Sequence, residues 1–174
     1  ATQTITIPLS RPNAKRSFRV YLNIDAHPGY AYTANRPFDA ARPNVVFIHG
    51  AANDHSVWAL QSRYFAYHGF NVFAVDLPGH GKSAGTARKT IGELATWLAH
   101  FMDAATVKTA ALVGHSMGSL VALETTALYP GRVTRLAMIG TSVPIKVSEL
   151  LLDASKTNDH MAFDMINVFA HSAS

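Results

Sequence analysis

The chain has 174 residues, 48% of them hydrophobic, a formal net charge of +4 and no cysteine. That length suits one domain with a substantial core rather than two, and the missing cysteines exclude disulfides and thiolate metal sites. The basic residues are scattered, with no polybasic tail or one-sided stripe, which argues against nucleic acid as a partner.

The opening Ala1-Thr-Gln-Thr-Ile-Thr-Ile7 alternates polar and apolar residues as a strand does, without the charged start and apolar heart of a secretory leader. A chain that starts with Ala is equally compatible with a leader already removed. No apolar run reaches the ~20 residues that span a bilayer, so a soluble, cytoplasmic protein is the expectation. Residues 2–7 and 18–24 read as two strands around the Ser10-Arg-Pro-Asn13 turn, with 30–34 as a short third segment. Val45-Val-Phe-Ile48 is different, because it is continuously apolar and mostly β-branched. That is the pattern of a parallel strand buried on both faces.

The same signature returns at 71–75, 110–113 and 133–139, each time after a helical stretch: 56–68, 90–105 and 117–129. In the second stretch Ile91, Leu94, Leu98, Phe101 and Met102 fall on one helical face. The third carries Leu120, Leu123 and Leu128 and stops at Tyr129-Pro-Gly131. The alternation predicts an α/β fold: a mostly parallel sheet with antiparallel N-terminal strands and helices on both faces. After Thr141 the Val143-Pro144 pair breaks the pattern, and residues 146–171 read as two short amphipathic helices. Residues 1–141 are therefore expected to form the core and 142–174 a separate helical segment.

Gly114-His-Ser-Met-Gly118 stands where the 110–113 run gives way to a helix, a G-x-S-x-G motif on a strand-to-helix turn. A serine hydroxyl is a weak nucleophile, so it must be held exposed, beside a base, with backbone donors aimed at the developing oxyanion. The turn forces Ser116 into a strained conformation, and Gly114 and Gly118 are required because a Cβ there would clash. His49-Gly50, directly after the central strand, brings the Ala51 amide toward the same place. With the Met117 amide, at a helix N-terminus, it makes two oxyanion donors. Trp58 is a candidate pocket-lining residue, or else an aromatic anchor of its helix.

Other histidines and carboxylates read as structural. His115 points away from its neighbour Ser116, and His49 ties loops together behind the oxyanion donors. Asp54 and His55 are adjacent and so rarely face each other, which makes Asp54 a helix N-cap. The 76–84 loop mimics two nucleotide motifs, but the P-loop glycine is replaced by Asp76 and no helix follows Gly79-His-Gly81 at once. No cofactor is expected, and nine histidines without paired spacing suggest no metal.

Taken in order, His49-Gly50, Asp76-Leu-Pro-Gly-His-Gly-Lys-Ser83, the Gly114–Gly118 elbow and Tyr129-Pro-Gly-Arg-Val133 resemble the α/β-hydrolase fold family, in its esterase, lipase and cap-bearing serine hydrolase group. The resemblance is to the N-terminal part of such a protein. It implies Ser116 as nucleophile, the Ala51 and Met117 amides as oxyanion hole, and residues 142–174 as a helical cap or lid. A serine at the elbow implies an acyl-enzyme formed from a carboxylic ester or related acyl substrate, not the alkyl-enzyme route of dehalogenases and epoxide hydrolases. The family orders its triad serine, acid, histidine. The stretch after Thr141 is too short for the strands that would carry the last two, since one strand-helix-strand unit takes ~30 residues. Asp153, Asp159, Asp164, His160 and His171 fall on cap-like helices instead. The acid and histidine are thus expected outside this segment, with a small acyl molecule as substrate. A second chain or second half is expected to complete the sheet, because the 133–139 strand would otherwise leave an apolar edge bare. A non-catalytic hydrolase-fold binding or regulatory module, or an inactive fragment, stays open as the alternative.

Overall fold

The computed structural model describes residues 19–142, 149–157, 160, 161 and 164. The strand expected at 2–7 and the second helix expected within 146–171 lie outside these residues. The chain divides into two compact units, Ala1–Thr141 and Ser142–Ser174.

The first unit is built on a six-stranded sheet: β1 (Arg19–Ile24), β2 (His27–Tyr32), β3 (Asn44–Ile48), β4 (Asn71–Val75), β5 (Ala110–His115) and β6 (Val133–Ile139). They lie in the order β1-β2-β4-β3-β5-β6. Pairs β4/β3, β3/β5 and β5/β6 are parallel, and β1/β2 and β2/β4 are antiparallel. The central apolar runs form strands because each residue finds a buried face whichever way it points. In β3, Val46 and Ile48 enter a core cluster with Phe73, Leu98, Phe101 and Leu112, while Val45 and Phe47 enter a second with Trp58, Ala66 and Val72.

The β1–β2 hairpin differs from the sequence expectation. The second strand starts at His27, not at residue 30, because Asp25 and Ala26 make a two-residue turn with φ of 51° and 66°. Both turn residues at positive φ match the twist of the flanking strands. Neither is a glycine, and that concealed the turn.

Helix α1 (Ala59–Tyr67) follows a 3₁₀ turn at His55–Trp58 and supplies the second cluster. Asp54 caps that turn by accepting from the Ser56 N–H at 2.7 Å. Helix α2 (Ile91–Ala104) begins with a capping box: Thr90 Oγ1 accepts from the Glu93 N–H at 3.2 Å and Glu93 Oε2 from the Thr90 N–H at 3.0 Å. It buries Leu94, Leu98, Phe101 and Met102 as its periodicity predicts, and also Trp97.

Helix α3 (Met117–Leu128) meets the sheet through small residues: Gly118, Ser119, Val121, Ala122 and Thr125 are its buried positions. Leu123 and Leu128 face outward, 40% and 50% exposed. At Gly118 the helix start lies too close to the β3 exit for any side chain. Strand β6, at the sheet edge, is mostly exposed, including Met138 and Ile139. In the second unit, Glu149–Lys156 forms helix α4.

Candidate active site

The exits of the parallel strands β4, β3 and β5 lie side by side, where open α/β sheets bind ligands. The elbow stands at the β5 exit. Ser116 has φ 52° and ψ −121°, a conformation that L side chains rarely adopt. Its surroundings hold it there. The Ser116 N–H donates to the Ile139 carbonyl at 2.9 Å, and its own carbonyl accepts from the Ser119 N–H at 2.9 Å and from the Ser119 hydroxyl. The Thr141 hydroxyl donates in turn to Ser119 Oγ at 2.8 Å.

Both motif glycines are fixed by close approach. A Cβ on Gly114 would lie 2.6 Å from Ser119 Cα, and one on Gly118 would overlap the carbonyls of Ile48 and His49. The second contact locks α3 against the β3 exit. Gly50 completes that junction, since its Cβ would sit 3.2 Å from Ser116 Cβ. Ala51 is exposed, and Met117 is the first residue of α3. Among the described residues neither amide has an intrachain acceptor. Ser116, at positive φ, is thus flanked by one uncommitted N–H in the next residue, Met117, and approached closely by Gly50, the residue before the other, Ala51. His115 lies with its ring against Gly50 and Gly140.

His49 is fully buried. Its Nε2 accepts the Leu77 N–H at 3.1 Å, which places the proton on Nδ1, and Nδ1 donates to the Gly50 carbonyl at 2.7 Å. Burial holds its pKa below the usual imidazole value, the Gly50 hydrogen bond opposing that only in part, so the ring is neutral.

Asp76 was not singled out as a site residue by sequence reasoning. It is fully buried, and its carboxylate accepts from the His55 N–H at 2.6 Å, from His55 Nδ1 at 2.8 Å and from the Lys82 N–H at 2.8 Å. A Cβ on Gly81 would strike that carboxylate, which explains a glycine there. The one signal in the sequence is that Asp76 directly follows the apolar 72–75 run, at a strand exit. The pair has the form of a triad's acid and histidine, yet His55 packs on Tyr30 of β2, with ring centroids 4.8 Å apart. Strand β2 stands three strand spacings from β5, about 14 Å at ~4.8 Å each, so a ring packed on β2 stands far from the elbow at the β5 exit. Asp54, His55 and Asp76 also bring ligand atoms within 4.8 Å of one another. The carboxylate oxygens among them accept N–H bonds from His55, Lys82 and Ser56, and His55 Nδ1 faces Asp76, so the cluster braces the loops by hydrogen bonds.

Trp58 is 4% exposed and packs on Phe47 at 5.1 Å between ring centroids, inside the second core cluster. Among the described residues no helix is long and apolar enough to cross a membrane.

A family profile described as alpha/beta hydrolase fold matches residues 43–170. The chain is 38% identical over 96 residues to a dihydrolipoyllysine-residue acetyltransferase component of the acetoin cleaving system of Cupriavidus necator, covering 55% of this chain and 25% of that one. It is 39% identical over 101 residues to a pimeloyl-[acyl-carrier protein] methyl ester esterase of Chromobacterium violaceum, covering 58% of this chain and 37% of the relative. Among solved structures, a thermophilic esterase superposes with a TM-score of 0.71 at 25% identity, over 85% of this chain and 54% of the other. The chain thus spans between a quarter and about half of the proteins it matches.

Proposed function

Because the chain belongs to the α/β-hydrolase fold family, we propose that it supplies the nucleophile and oxyanion donors of a serine hydrolase acting on a carboxylic ester or related acyl substrate. Ser116 Oγ attacks the carbonyl carbon, and the amides of Ala51 and Met117 receive the charge on the tetrahedral oxygen. A histidine base takes the Ser116 proton and returns it to the alcohol, which collapse expels to leave an acyl-enzyme on Ser116 that water then hydrolyses. The observation that carries this reading is Ser116 held at φ 52° beside two uncommitted amides. A serine in this position favours acyl chemistry, and the relative that is a methyl ester esterase is consistent with it.

The general base and its acid come from outside residues 19–142 in this reading. Within them His49 has both ring nitrogens engaged, His55 is paired with Asp76, and no histidine is hydrogen-bonded to Ser116. Residues 142–174 serve as cap. Trp58, packed on Phe47, anchors the wall and does not touch substrate. The exposed β6 edge favours a sheet continued by further strands, from the same or a second polypeptide.

A fluorophosphonate probe tests the nucleophile. The complete protein is expected to be labelled at Ser116 and Ser116→Ala to be inert. Labelling that persists in Ser116→Ala overturns Ser116 as the nucleophile, and a complete protein with neither labelling at Ser116 nor ester turnover leaves instead a binding module that kept the elbow.

A further inference from the structure

We propose that His49 is a positioning residue for the oxyanion hole, orienting through its Nδ1–H the one peptide unit whose amide receives the substrate oxygen. The inference rests on the reading of Ala51 as an oxyanion donor. The Gly50 carbonyl and the Ala51 N–H belong to the same planar, trans peptide, so they point in opposite directions. Drawing the carbonyl toward the buried imidazole, 2.7 Å away, turns the amide outward. A hydrogen bond to the carbonyl also polarises the peptide and strengthens its N–H as a donor. The carbonyl's other contact, from the Asn53 N–H, is longer at 3.3 Å and closes the loop from the exposed side.

A histidine is needed here because both ring nitrogens are used, in opposite senses. Nε2 must accept, since it faces the Leu77 N–H at 3.1 Å, and that contact dictates that Nδ1 carries the proton the Gly50 carbonyl requires. The exit loop of β4 therefore sets the tautomer, and the tautomer sets the peptide on the exit loop of β3. The imidazole accepts at one ring edge and donates at the opposite one, which matches the placement of the two partners.

Two substitutions separate the roles. Asn places its amide near the Nδ1 position and keeps the donor to Gly50 while losing the acceptor for Leu77. Gln reaches the Nε2 position and does the reverse. In the complete protein, His49→Asn is expected to retain the fluorophosphonate labelling rate at Ser116 within about three-fold, and His49→Gln to lose it by on the order of 30-fold or more, as oxyanion-donor losses do. The Leu77 amide resonance should move in the Asn variant and stay in the Gln variant, so labelling and structural disturbance part company. Equal labelling by wild type and His49→Gln, or an equal fall in both variants, overturns the positioning role. If the wild type is not labelled at all, the nucleophile reading fails and takes this inference with it. In the unsubstituted protein, imidazole ¹⁵N shifts should show Nδ1 protonated and Nε2 bare at neutral pH; the opposite tautomer overturns the inference whether or not either variant folds.

Discussion

A single oxygen of the Asp76 carboxylate holds His55 twice, taking its backbone N–H at 2.6 Å and its ring Nδ1 at 2.8 Å. The β4 exit is thereby tied to the start of the turn that leads into α1, and the free oxygen ties down Lys82. Every contact is an N–H aimed at a buried anion. Asp76→Asn turns an NH₂ toward one of those donors, and the expected cost is about 3 kcal/mol. Urea unfolding measures it; a variant within about 0.5 kcal/mol of wild type refutes the account.

Gly118→Ala drives a methyl into the Ile48 and His49 carbonyls, both backbone atoms that cannot swing aside. A loss above about 3 kcal/mol, or failure to fold, is expected. Gly131→Ala is the control, since nothing lies within 4 Å of its Cβ. That change should stay within about 1 kcal/mol of wild type, and similar effects of the two substitutions speak against close approach as the reason for Gly118.

The neutral, buried His49 gives stability a pH dependence of known sign. Its folded pKa lies below the unfolded value of 6.5 because of burial, against the pull of Asp76 and Asp54 and with the push of His80. Between the two pKa values the unfolded chain binds a proton that the folded one refuses, so stability rises with pH there. The contribution is whole above 6.5 and declines as pH falls toward the folded pKa, at up to about 1.4 kcal/mol per unit. Denaturation curves between pH 7.5 and 5.5 should therefore fall more steeply for the wild type than for His49→Asn; parallel slopes contradict it.

Ser62 is fully buried on α1, and its hydroxyl has no partner among the described residues. Ser62→Ala removes an uncompensated polar atom and adds a better helix former, so a gain of about 1 kcal/mol is expected. A lowered Tm means the hydroxyl has a partner that the geometry does not reveal.

Much of this fold was legible because the β3 to β6 strands alternate with helices at a fixed rhythm and each central run is apolar throughout. The elbow was legible for a different reason: Gly114 and Gly118 are sterically obligatory, and obligatory residues leave a spacing. What the chain hid were relationships set by geometry alone. Asp25-Ala26 turns a hairpin without a glycine to mark it. The leucines of α3 look like a core stripe, but the inner face is taken by Gly118, Ser119, Val121, Ala122 and Thr125, and at Gly118 the carbonyls of Ile48 and His49 leave no room for a side chain. Asp76 lies 21 residues from the histidine it holds, and nothing local announces the pairing.

The bond from the Ser116 amide to the Ile139 carbonyl has a consequence in time. Ile139 ends β6, which is made only after the intervening helix, so the one bond that holds the Ser116 amide cannot form until that strand has docked. The contact is non-local, and such contacts form late because their chain closure must come first. On a growing polypeptide this backbone pose is therefore completed late, and a chain that stops short of β6 carries Ser116 without one of the bonds that fix it.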